Sequence, residues 1–181
     1  MQTFLTLDFE ASCLPQHGRS FPIEGGLAGP GGFVRSWLIR PEPAWQDWTW
    51  TEEAEALHGL SYDRLVRDGL PAARVLADLA QVVGSRPVFA DSYLDAGWMR
   101  TLEAAVGAPP LVRVRHIDAL IDTLGLDDQA VARAVAEAHA QAIPRHRAGD
   151  DARWLQGLAA LLEALAAGET MTVVKREFAA A

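Results

Sequence analysis

The 181-residue chain has a single cysteine, Cys13, and a single lysine, Lys175. One cysteine excludes an intrachain disulfide framework and makes a reducing compartment the simplest setting. Long apolar runs are also missing: none approaches the roughly 18 residues that span a bilayer as a helix. The opening MQTFLTLDFE has no cationic stretch ahead of an apolar one and carries two acids, so it does not read as a secretory leader. A cytoplasmic protein is the expectation. Positive charge is not in excess either. Sixteen bases stand against twenty-four acids, a formal net charge of −8, which excludes a protein that coats duplex nucleic acid through a broad basic surface. All the bases but Lys175 are Arg; in an Ala-rich chain this reads as codon bias before it reads as phosphate binding.

What is present is ample apolar mass. Half of the residues are hydrophobic and 22% are charged, a balance that supports a packed core and excludes disorder. The length fits one domain over residues 1–181. Residues 2–8 alternate as a strand, with Phe4, Thr6 and Asp8 on one face and Leu5 and Leu7 on the other. Further strands are expected at 21–27 and 33–39, with the stretch GGLAGPGG between them reading as a turn. Its glycines are no phosphate cradle, because no Gly-Lys-Ser/Thr follows and no helix begins there. Helices are expected at 51–57, 61–67, 70–83, 92–106, 127–142 and 150–167, and short strands at 87–90 and 111–116. Strands first, then strand–helix alternation, argue for an α/β fold with a mixed sheet.

Three acidic elements have chemical interest. Asp8-Phe9-Glu10 falls at the end of the first strand, just before a loop. Carboxylates at i and i+2 on a strand share a face, about 6.5–7 Å apart, and two like charges there are costly unless a hard cation neutralises them. If the strand has already ended, both are simply solvated. Asp91 and Asp95 stand near a helix start, where a cap role after Ser92 explains them equally well. In the segment PRHRAGDDARWL, His146 precedes Asp151 by five residues, and Asp150-Asp151 open the last helix. Arg145 and Arg147 place cations next to that histidine.

The order and spacing of the three elements together resemble the DEDDh 3′–5′ exonucleases, which include ribonuclease T, oligoribonuclease and bacterial proofreading subunits. LDFEASCL looks like the first motif, FADSYLDAGWM the second and HRAGDDARWL the third. FPIEGG matches the second-strand Glu and ALHGLSYDRL the His-Gly segment between motifs. The resemblance covers essentially the whole chain. It implies a ribonuclease H-like mixed sheet flanked by helices, and four metal-binding acids, Asp8, Glu10, Asp95 and Asp151, with Asp91 as runner-up to Asp95. It implies His146 as general base, two Mg²⁺ or Mn²⁺ ions and a single-stranded nucleic acid 3′ end as partner, and it suggests a homodimer; the lack of a long apolar run gives the expectation of no membrane partner. The chemistry is consistent: two cations stabilise both the attacking and the leaving oxygen of a phosphodiester, and a neutral imidazole takes the water proton. Two positions depart from the family pattern. Cys13 stands where a Gly is common, and Asp91 where many members carry Asn.

Leu14, His58 and Trp48 are the candidate substrate contacts. Trp45, Trp48 and Trp50 either stack bases or pack a sheet edge; both readings stand at this point. His17 and His139 lack acid partners at useful spacing and read as surface residues. Ile117 separates His116 from Asp118, so the adjacent His-Asp pair of metal phosphohydrolases is absent. Cys13 has no His-Asp arrangement to make it a nucleophile. The remaining alternatives are a non-catalytic nucleic-acid-binding module on the same fold and a phosphohydrolase of small nucleotides.

Overall fold

Alternation along the first strand sets the layering. In the computed structural model, which describes residues 4–141, 143–144 and 146–168, β1 (Leu5–Ala11) lies at the centre of a five-stranded sheet. Leu5, Leu7 and Phe9 point into one core, while Phe4 joins another. The sheet order is β3 (Phe33–Leu38), β2 (Pro22–Gly29), β1, β4 (Val88–Ala90), β5 (Val114–His116). The first three strands form an antiparallel meander, and β4 and β5 run parallel to β1. This is the mixed α/β sheet expected from the sequence.

Seven α-helices complete the described residues: α1 (Glu52–His58), α2 (Tyr62–Asp68), α3 (Ala72–Val83), α4 (Tyr93–Ala105), α5 (Asp118–Leu124), α6 (Asp128–His139) and α7 (Ala148–Ala166). Val75, Leu76, Leu79, Met99 and Leu102 of α3 and α4 pack with Leu5, Leu7 and Val88. Trp154, Leu155 and Leu158 of α7 pack with Phe4 and Phe89, and α5 and α6 add Leu120, Ala134 and Ala138. Thr6 ties β1 to α7 directly, its hydroxyl donating to the Ala152 carbonyl at 2.7 Å. No helix among the described residues is long and apolar enough to cross a membrane.

Three expectations are corrected. The first strand does not end at Asp8 but continues through Ala11, so Asp8 and Glu10 are strand residues sharing a face. The turn between the second and third strands is only Pro30–Gly32, because residues 25–29 belong to β2. Close packing, not turning, explains those glycines: a Cβ on Gly26 would fall 2.1 Å from the Ala148 carbonyl oxygen, and one on Gly25 would meet the Phe9 ring at 2.9 Å. Helix α5 was not anticipated; at seven residues it is too short to display a helical period. Lys175 and Arg145 lie outside the described residues.

Candidate active site

Strand β1 outruns its parallel neighbour. Its pairing with β4 involves Leu5 and Thr6, so beyond that point the β4 side of β1 is open. There the Phe9 backbone N–H donates to Asp95 Oδ1 at 3.0 Å. Ser92 caps α4, its hydroxyl accepting from the Leu94 N–H at 3.1 Å. The carboxylate one turn into that helix is thereby brought against the central strand.

From the other face, α7 reaches the same place because Gly26 sits opposite Asp8 in the β1–β2 register. With no side chain there, the start of α7 lies directly on the strand backbone. Asp151, in the first turn of α7, is thus delivered to the acids of β1. Its Oδ2 accepts from the backbone N–H groups of His146 (2.6 Å) and Arg147 (3.1 Å), which fixes the loop that carries His146. His146 itself is exposed and left-handed, with φ 68°. Left-handed backbone is uncommon outside glycine, and in a non-glycine residue it points to a local constraint.

The result is two trios of carboxylates that share Asp8. One oxygen each from Asp8, Asp91 and Asp95 lie within 4.8 Å of one another, and so do oxygens from Asp8, Glu10 and Asp151. Asp91 and Asp95, read from the sequence as alternatives, both stand beside Asp8. Such crowding is unfavourable without a counter-charge. Burial first, and then the charges of Asp95, Glu10, Asp151 and Asp91, hold the Asp8 carboxyl well above the usual carboxylate range. Asp95 is pushed up to about 8, by burial first and by Asp91 next, although the backbone N–H groups of Phe9 and Ser92 pull it back. Asp95 Oδ2 is buried without a hydrogen-bond partner. An all-oxygen donor set with an orphaned carboxylate oxygen fits hard divalent cations such as Mg²⁺ or Mn²⁺.

Glu24, opposite Glu10 on β2, is buried and engaged differently. It accepts two bonds from the Arg147 guanidinium, at 2.9 and 2.6 Å, and one from the Ala148 N–H at 3.1 Å. Arg147 is therefore not a free cation beside His146. Sequence reading matched Glu24 as a second-strand acid but did not find its partner, whose only sequence signal was an arginine before a helix 123 residues away.

Next to Glu10 opens a pocket of about 200 Å³, walled by Leu14, His17, Leu57, His58 and Trp98 among others. Leu14 is 49% exposed at its rim. His58 is buried; its Nδ1 accepts from the Leu60 N–H at 3.0 Å, so Nε2 carries the proton, and Nε2 has no hydrogen-bond partner. Burial lowers its pKa, favouring this neutral ring. His17 and Trp98 were not picked as site residues. The Trp98 indole donates to Ser20 Oγ at 3.0 Å, and its helical spacing showed only a core position. Trp48 does not line the pocket. Its ring lies 6.2 Å from that of Trp45 and carries the Arg19 guanidinium at 4.1 Å, while Trp45 stacks on Phe21. Trp50 bonds Glu55 at 2.9 Å and sets its ring edge-on to His58 and Tyr62.

Compared by sequence, the chain matches no family model and no curated protein. Compared by structure, it is similar to a 3′-exonuclease solved with a histone mRNA stem-loop, at 14% identity and a TM-score of 0.66, over 91% of this chain and 64% of that one. It is also similar to E. coli exonuclease I bound to a dA16 oligonucleotide, at 14% identity and a TM-score of 0.67, over 90% and 41% of the two chains. A product-bound exonuclease I matches at 13% identity with a TM-score of 0.61, over 91% and 46%. This chain thus spans from 41% to 64% of the length of these proteins. At such identities the likeness establishes the ribonuclease H-like fold.

Proposed function

We propose that the protein is a metal-dependent 3′–5′ exonuclease, releasing nucleoside 5′-monophosphates from single-stranded 3′ ends of RNA or DNA. One observation carries this reading: two carboxylate trios meet at Asp8, an arrangement suited to two cations about 3.5–4 Å apart. Asp8, Asp95 and Asp91 would hold one Mg²⁺ or Mn²⁺, and Asp8, Glu10 and Asp151 the other. When bound, the ions supply positive charge to the attacking and leaving oxygens of a phosphodiester.

The chain's own groups do the rest. His146, on the loop anchored by Asp151, accepts a proton from the attacking water. The pocket beside Glu10 takes the terminal nucleoside, with Leu14 against its face and the His58 Nε2–H as a donor to it. An acid-lined site and a net charge of −8 suit a short grip on an unpaired end and not the coating of duplex. Of the neighbours that share the fold, one is a 3′-exonuclease and another is an exonuclease I solved with a dA16 oligonucleotide, which supports the reading.

The test is a ladder assay on 5′-labelled RNA and DNA, with and without Mn²⁺, using single-stranded, duplex, 3′-phosphorylated and circular substrates. Stepwise shortening of single strands, with arrest at duplex and at a 3′-phosphate, is expected. Cutting of the circular strand would make the enzyme an endonuclease and overturn the reading.

A further inference from the structure

Tyr93, one of two tyrosines in the chain, is 71% exposed and yet held in place. Its ring lies flat on His116, with centroids 4.0 Å apart and planes 5° from parallel. His116 is pinned at both nitrogens. Its Nε2 donates to the Asp91 carbonyl at 2.9 Å, and its Nδ1 accepts from the Asp118 N–H at 3.3 Å. The Asp118 carboxylate accepts from the Tyr93 hydroxyl, Oδ2 at 3.2 Å. Neither ring belongs to the two hydrophobic cores. The stack is a rigid, outward-facing aromatic plate, fastened to the main chain of a residue whose carboxylate belongs to the acid cluster.

Its place along the sheet gives it a use. The pocket lies where β1 ends and α1 begins, with Glu10 in its wall. The plate lies at the ends of β4 and β5 and is bonded to Asp91, a member of the other trio. Glu10 and Asp91 belong to different trios joined at Asp8, so the acid cluster links the pocket to the plate. A dinucleotide step has the same order: a base, a phosphate, a base. We propose that the Tyr93–His116 plate stacks the nucleobase on the 5′ side of the scissile phosphodiester. This rests on the exonuclease reading and extends it with a binding subsite for the penultimate nucleotide. A plate already ordered by Asp91 and Asp118 loses little freedom on binding, and every base presents a face to it, so sequence preference is weak.

The experiment uses the full chain and a single-stranded oligonucleotide with 2-aminopurine at its penultimate position. Ca²⁺ is present to permit binding. Fluorescence quenching by the stack is expected with the wild type and with Tyr93→Phe, which keeps the ring. It is expected to be lost with Tyr93→Ala, with affinity reduced about 5- to 100-fold. In Mn²⁺, kcat/KM of Tyr93→Ala for the oligonucleotide should fall by that factor more than for the methyl ester of thymidine 5′-monophosphate, which has no ring beyond its phosphate. Equal losses on both substrates, or undiminished quenching in Tyr93→Ala, would overturn the subsite. A wild type that cleaves neither substrate would overturn the exonuclease reading, and the subsite with it. A wild type active on both, matched in every measurement by Tyr93→Ala, would overturn the subsite alone.

Discussion

Arg147 and Glu24 meet fork to fork, Nε to Oε2 at 2.9 Å and Nη2 to Oε1 at 2.6 Å, across 123 residues of sequence. Glu24 is buried in the strand beside β1, directly opposite Glu10, and Arg147 is the residue after His146. The pair therefore fastens the loop bearing the proposed base to the strand that faces the acid cluster. Removing one partner of a buried pair is costly because the other charge stays buried. Arg147→Ala should destabilise the protein by about 3 kcal/mol, the low end of the usual range for such pairs, since its guanidinium reaches solvent. Joining Glu24→Gln to Arg147→Met should recover part of that loss in urea unfolding.

The acid cluster makes stability depend on pH in an unusual direction. The Asp95 carboxyl is raised from 3.8 to about 8 in the folded protein, and Asp8 is raised as well. Between those values the folded state holds more protons than the unfolded state, so stability falls as pH rises. A tenfold bias between protonation states is about 1.4 kcal/mol. Metal-free protein should melt lower at pH 8 than at pH 5. Added Mn²⁺ should reverse the order, because the cation binds the ionised carboxylates. Thermal melts at both pH values, with EDTA or with Mn²⁺, check this.

Asp95→Asn should separate stability from function. The amide oxygen still accepts the Phe9 N–H, while the charge that burial and Asp91 oppose is gone. The metal-free variant should therefore melt above the wild type and have no turnover. Asp91→Asn keeps an oxygen donor next to Asp8 and should retain turnover with weaker metal affinity. Calorimetric Mn²⁺ titration and oligonucleotide assays on both variants measure the difference.

At His146 the backbone and the imidazole can be tested apart. The left-handed φ of 68° costs a non-glycine residue about 1–2 kcal/mol. His146→Gly should thus melt no lower than the wild type. Turnover should drop about 10²- to 10⁴-fold, the usual contribution of a general base, with Mn²⁺ affinity preserved. Loss of Mn²⁺ binding in this variant would make His146 a ligand instead.

Gly26→Ala probes the route by which Asp151 arrives. Its new Cβ would overlap the Ala148 carbonyl, which is backbone and has no rotamer to change. Overpacking of this kind costs about 1–3 kcal/mol. The start of α7 must lift from β2, so Mn²⁺ affinity should fall together with the melting temperature.

Much of this was legible in the residues themselves. Alternation in β1 put Asp8 on the face opposite Leu5 and Leu7, and strand–helix order indicated a mixed sheet, because both signals are local and repeat within a few residues. The acids of all three elements stood out through their order and spacing together with the family resemblance that these carry. Other features required the chain to fold back on itself. Whether Asp91 or Asp95 would stand beside Asp8 depended on how far β1 runs past β4, and the structure brings both. The glycines of β2 looked like a turn because sequence shows a missing side chain without showing what occupies its space; here that is the first turn of α7. The Glu24–Arg147 pair and the Tyr93–His116 stack leave no periodic trace, since each joins positions on separate elements. Periodicity records which face of an element is buried, and only packing between elements decides which residues meet there.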